Sequence, residues 1–185
     1  MVPLMSLWMP VLLSAVLVFV ASSVMHMLLT YHQSDYGRLP AEDQVMAALR
    51  PFNLAPGDYM VPCAGSAKEM GSPVLQEKLK KGPVFMMTVM PSGPMAMGGT
   101  IAQWFVYCCI VGLFVAYVTG RALGVGADYR EVFRMASTVA FVGYTLALWQ
   151  NSIWYKRKLT TTIKSTVDGL VYALLVGGTF GWLWP

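Results

Sequence analysis

Residues 82–120 run for 39 positions without a charged side chain. A helix needs about 20 apolar residues to cross about 30 Å of hydrocarbon, so this run is longer than one span. Inside a bilayer every backbone N–H and C=O must be satisfied by the protein itself, which limits spanning segments to helices and closed barrels. The same constraint recurs at both ends of the chain. Residues 1–34 contain no Asp, Glu, Lys or Arg, and residues 169–185 (GLVYALLVGGTFGWLWP) are uncharged throughout. Only 12% of the chain is charged and 56% is hydrophobic, whereas a soluble domain is about a quarter charged. This balance argues against a water-soluble fold.

The expected fold is an all-α integral membrane protein. It has four transmembrane helices and one long loop between the first and second. Residues 1–30 form the first span, with Pro10 kinking it or marking its interfacial start. The first basic residue is Arg38, so the segment reads as a retained span and not as a secretory signal, which needs a basic leading region. Residues 31–99 form the extramembrane or interfacial loop. Residues 100–185 hold spans two to four at about 100–120, 132–150 and 167–184, all in one membrane domain. The piece 83–99, broken by Pro91 and Pro94, is interfacial or partly re-entrant.

The loop has readable local signals. PAEDQVMAALR (40–50) predicts a short helix, with Glu42 and Asp43 in its first turn and Pro51 stopping it. Ser72 caps a second helix over 73–81 that Gly82 closes. Residues 58–62 and 84–90 read as extended and are expected to pair as a small hairpin on the membrane surface.

Small residues recur at helical spacing. Gly169, Ala173, Gly177 and Gly181 fall every fourth position in the last span, as do Cys108, Gly112, Ala116 and Gly120 in the second. The third carries Ala136, Ala140, Gly143 and Ala147, and the first Ser14, Ala15, Ala21 and Ser22. Such faces let helix backbones approach closely in lipid. They serve either a compact monomeric bundle or, if one is left over, a partner subunit.

Lys and Arg orient the chain, because cytoplasmic loops carry the excess. Six lie in the long loop and four near 151–166, against three (Arg121, Arg130, Arg134) on the other side. Both termini are then expected outside and loops 31–99 and 151–166 in the cytoplasm. Lipid headgroups account for the basic residues, and no nucleic-acid motif is present.

Alternating span directions bring polar residues to one rim of the bundle: His26, Gln103, Gln150, Asn151, Asp168 and Tyr172. Ionisable groups at membrane depth are costly and often functional, and a His–Asp pair suits proton transfer or a polar headgroup. A plainer alternative is that Asp168 pairs with Lys164 one helical turn away. His26 and His32, six residues apart, do not share a face of one continuous helix. A copper reading rests on Met25, His26 and Met27 with Met90, Met95 and Met97, since thioethers with imidazole suit Cu(I); methionine is also a generic apolar filler. No cofactor is implied. Cys63, Cys108 and Cys109 form no CxxC, and there is no GxSxG, P-loop or CxxCH.

The stretches ADYREVFRMASTVAF (127–141), LALWQNSIW (146–154) and VDGLVYALLVGGTFGWLWP (167–185), with AEDQVMAALR…LAPGDYM (41–60), resemble a set of small bacterial inner-membrane proteins that carry no assigned activity. The resemblance implies four spans and a shared loop, and brings no site residues.

The leading functional expectation is a non-enzymatic accessory or scaffold subunit, or a packing-driven oligomer, whose partners are the bilayer and other membrane subunits. The alternative is a small oligomeric transporter or channel using the His26–Asp168 rim. A Cu(I)-handling protein comes third. An enzyme would require loop residues such as His32, Asp35 or Asp58 to gather beneath the bundle.

Overall fold

The computed structural model describes every residue except Met95. The chain divides into two compact units, one of residues 1–37 with 96–185 and one of residues 38–95.

The first unit is helical. It begins with a 3-10 turn (Leu4–Leu7) that leads into α1 (Trp8–Ser23). The smaller unit follows, and within it lie α2 (Glu42–Leu49), β1 (Gly57–Val61), α3 (Ala67–Met70), α4 (Pro73–Lys81) and β2 (Phe85–Val89). The first unit resumes with α5 (Met97–Ala122), α6 (Tyr129–Thr145), α7 (Trp149–Ile153) and α8 (Leu159–Trp182). Among the described residues, three helical stretches are long and apolar enough to cross a membrane: Leu4–Leu28, Met97–Ala122 and Tyr129–Ile153. The last of these passes through a 3-10 turn at Leu146–Leu148.

The bundle is apolar on its surface as well as in its core. Leu12, Val16 and Val20 of α1, and Ile110, Leu113 and Phe114 of α5, are exposed, while Ser14, Ser22, Thr119, Thr145 and Asp168 are buried. A run of exposed large apolar side chains marks a surface made for something other than water.

Close approach is built on the predicted small residues. A Cβ at Gly177 would run into Ser137 and the Phe133 carbonyl, and one at Gly169 into Thr145 and Tyr144. At Gly181 it would come within 2.7 Å of the Tyr129 ring. These glycines, with buried Ala173, seat α8 against α6, whose Ala136 and Ala140 are fully buried. On α5, Gly112 abuts Val11, and Gly120 abuts Leu7 and the Val2 carbonyl; Ala116 is buried between them. Gly143 of α6 meets Val111 of α5. The stripes on α5 and α8 are thus engaged inside one chain, as are Ala136 and Ala140 of α6, while Ala147 is exposed.

α8 starts at Leu159, well before the expected 167, because its polar opening is held by tertiary packing. Thr161 and Thr162 are buried, Thr162 hydrogen bonds Ser152 of α7 at 2.7 Å, and Ser165 and Thr166 donate back to carbonyls one turn earlier. Hydroxyls that return to their own helix tolerate a helical interior.

The smaller unit follows its local signals. α2 carries Glu42 and Asp43 in its first turn. In α4 the Ser72 hydroxyl accepts from the Leu75 amide at 3.2 Å, and Gly82 leaves the helix at φ +58°, a conformation disfavoured for residues with a Cβ. β1 and β2 pair antiparallel, Gly57 opposite Val89 and Val61 opposite Phe85, and Thr88 donates to Asp58 at 2.6 Å.

Candidate functional site

The site is made by the way α1 ends. After Ser23 the helix widens into a single π turn, Val24–Leu28, and stops at Leu29, which is extended at φ −85° and ψ 137°. The chain then winds once more as a 3-10 turn, Thr30–Ser34. On an uninterrupted helix, residues six apart face largely opposite ways. The break resets that phase. The His26 and His32 rings stack with centroids 4.3 Å apart and planes 11° from parallel, which overturns the expectation drawn from their spacing. π turns inside helices are frequent at functional sites.

Both histidines are held from behind. His26 Nδ1 lies 3.0 Å from the Ser22 carbonyl oxygen. That oxygen only accepts, so Nδ1 carries a proton, and in the neutral ring the lone pair is on Nε2. His32 Nδ1 lies 2.7 Å from Asp35 Oδ2, and its Nε2 lies 2.8 Å from Asp168 Oδ2. Asp168, buried near the start of α8, also accepts from the Tyr31 hydroxyl, and His26 Nε2 stands 4.0 Å from its Oδ2. The ligand atoms of His26, His32 and Asp168 all lie within 4.8 Å of one another.

Lys164 does not pair with Asp168, although one turn separates them on the same helix. It donates to Asp35 at 3.0 Å, to the Ser34 hydroxyl at 2.8 Å and to the Tyr31 carbonyl. The two side chains grip successive parts of the 3-10 turn. Burial pushes the Asp35 carboxyl up, but hydrogen bonds from His32 and Lys164 and their charge outweigh it, and the carboxyl is held below its ordinary 3.8.

The cluster opens onto a cavity of about 530 Å³ lined by His26, Gln103, Trp104, Tyr107, Tyr144 and Asp168, among others. Trp104 donates to Ser22 Oγ at 2.8 Å, which locks α5 to the turn of α1 that carries His26. Its ring packs against Tyr107, Tyr144 and Tyr172 at 5.5–6.3 Å. Tyr144 and Tyr172 also line this cavity or its wall at 6% and 4% exposure, and their hydroxyls have no hydrogen-bond partner among the described residues.

Of the expected rim, His26, Gln103, Asp168 and Tyr172 come together at this cavity. Gln150 is exposed on α7, and the backbone carbonyl of Asn151 serves its own turn, accepting from Tyr155 and Arg157. The sequence reading left Tyr31, His32, Asp35 and Lys164 outside the rim. The local signal available was the His32–Asp35 spacing at i, i+3; the partner 136 residues away was not legible. Asp58 lies in the smaller unit and bonds Thr88. Of the copper candidates, Met25 packs against the core, Met27, Met90 and Met97 are exposed, and Met95 lies outside the described residues. The three cysteines are free.

Comparison with protein-family profiles, with curated proteins and with solved structures gives no match to this chain.

Proposed function

We propose that this is a four-span membrane protein, of bacterial inner-membrane type, whose work is done at the His–Asp cluster: it binds a small polar ligand at one end of its bundle. The observation that carries this reading is the convergence of His26, His32 and Asp168, backed by Tyr31, Asp35 and Lys164, at the mouth of an aromatic-walled cavity. Such a group also ties α8 to the turn after α1, but Asp168 and His26 in addition face this cavity. The small-residue faces on α5 and α8, which favoured a scaffold or packing-driven oligomer, pack against other helices of the same chain.

The fourth span in this proposal is α8. Its 24 residues measure about 36 Å, and Ile163, Val167, Leu170 and Leu174 form an exposed apolar line along it. The excess of Lys and Arg supports a cytoplasmic site end, with both termini outside. Cys63, exposed in its unit, tests that orientation. It should resist a membrane-impermeant thiol reagent in intact cells and react after permeabilisation.

Purification in mild detergent, followed by native mass spectrometry, tests the function. The expected result is one chain retaining a non-covalent mass that the Asp168→Asn variant loses. Co-purification with other subunits in fixed ratio, unchanged by that variant, would restore the accessory-subunit reading. A homo-oligomer would favour transport by several copies.

A further inference from the structure

We infer that His26 Nε2, His32 Nε2 and Asp168 Oδ2 form a binding site for one divalent first-row transition-metal ion. This names the ligand for the site proposed above and rests on that reading. The first argument is proton counting. The Ser22 carbonyl takes the Nδ1 proton of His26, so the lone pair of the neutral ring is on Nε2, 4.0 Å from Asp168 Oδ2. His32 has a carboxylate oxygen at each ring nitrogen, 2.7 and 2.8 Å away. A neutral imidazole has one N–H, so both carboxylates are served either by a doubly protonated His32 or by a cation that takes the place of the proton on Nε2. The three ligand atoms lie within 4.8 Å of one another, so one cation can be reached by all three once the His26 ring turns.

The second argument is charge. Asp35 and Asp168 are two carboxylates, and the one permanent cation among their partners is Lys164, which binds Asp35. Asp168, with its side chain 4% exposed, has histidines as its only basic partners among the described residues. A metal ion at Asp168 supplies the missing charge.

The third argument is the support behind the ligands. Metal-binding histidines donate their other ring N–H to a carboxylate or backbone carbonyl, which orients them and raises their basicity. Here Asp35 and the Ser22 carbonyl are those two acceptors, and Tyr31 holds the second oxygen of Asp168. Two histidines and one carboxylate are the donors of Zn(II) and non-haem Fe(II) sites with open positions, whereas Cu(I) prefers thiolate and thioether. The open positions face the cavity whose wall holds the unpartnered Tyr144 and Tyr172 hydroxyls.

A metal lies in the plane of each imidazole it binds, about 2.0–2.1 Å from the nitrogen. Binding therefore turns the His26 ring out of its stack on His32. His26 is free to do so, since its side chain is 51% exposed.

The test uses the full chain in mild detergent, stripped with chelator and titrated with Zn(II) against a chromophoric competitor and with Co(II) by visible absorption. One equivalent should bind per chain, with Co(II) bands of four- or five-coordinate type. Asp168→Asn and His26→Ala should each weaken binding beyond the roughly 100-fold typical of outer-shell partners, and Asp35→Asn by about 10–100-fold. His26 is half exposed, so its variant keeps the bundle, checked by circular dichroism. Absence of stoichiometric binding by the wild type, or wild-type affinity in both ligand variants, overturns the inference. If no metal binds but native mass spectrometry still shows an Asp168-dependent ligand, the metal falls and the site reading stands. If neither is found, both fall.

Discussion

The two ends of the bundle are built by opposite means. At the end where α8 finishes, backbone meets backbone: Gly181 lies under Tyr129, Gly120 under Val2, and the Val2 amide donates to the Gly120 carbonyl at 2.7 Å. Specificity there comes from the absence of side chains. At the end where α8 begins, contact is made by polar side chains that cross between elements, with Asp168, His32, Asp35 and Lys164 linked in a chain. Lipid gives apolar side chains no reason to prefer one another, so helices associate in it through close packing or polar bonds. This protein uses the first device at one end and the second around the His–Asp cluster at the other.

That contrast can be broken from either side. The largest effect is expected at the packed interface. Gly177→Leu forces bulk onto Ser137 and the Phe133 carbonyl, and backbone cannot move aside as a side chain can. A loss of at least about 3 kcal/mol, the upper end for overpacking, should appear as a collapsed melting transition in detergent. A milder result would mean that α6 and α8 slide.

Next is Asp35→Asn at the polar end. Hydrogen bonds to charged groups are worth about 1.5–3 kcal/mol, so a loss of that size is expected at neutral pH. Because the Asp35 carboxyl is held below its ordinary 3.8, its contribution is present above that value and is lost as pH falls through the lower folded one. The gap between wild type and variant in chemical denaturation should therefore close in acid and persist at neutral pH. A gap that persists in acid would place the effect in packing.

Trp104→Phe removes the 2.8 Å bond to Ser22 but keeps most of the ring. About 1 kcal/mol is expected, with a looser π turn seen as faster amide exchange over Val24–Leu28. Unchanged exchange would show that Trp104 does not hold that turn.

The smallest effect reverses sign. Gly99 sits in the first turn of α5 with nothing within 4 Å of a Cβ. Gly99→Ala should stabilise by about 0.4–1 kcal/mol through lost freedom of the unfolded chain, where the same change at Gly177 destabilises. Equal signs at both positions would remove the distinction between a packed end and an open one.

Much of the architecture was legible because it follows from short-range rules. The apolar runs located three spanning helices, the Ser72 and Gly82 signals bounded α4 to the residue, and the stretches read as extended at 58–62 and 84–90 overlap the paired strands Gly57–Val61 and Phe85–Val89. The stripes named the faces that touch. What the stripes touch was not legible, since a small-residue face is the same whether its partner is in the same chain or another. The site was half legible. His26, Gln103, Asp168 and Tyr172 fell on one rim by span direction alone. The grouping of His32 and Asp35 with them was hidden, because no proline or glycine marks the break at Leu29.

By itself, then, the sequence determined three apolar spanning stretches and the caps of α4, each an effect of neighbours within a turn or two. Only the tertiary structure decided that Lys164 would leave Asp168 for Asp35, that two histidines out of helical phase would stack, and that both would meet a carboxylate from the far end of the chain. Those choices depend on where helix ends lie relative to one another, and a bond between residues 32 and 168 has no local cause.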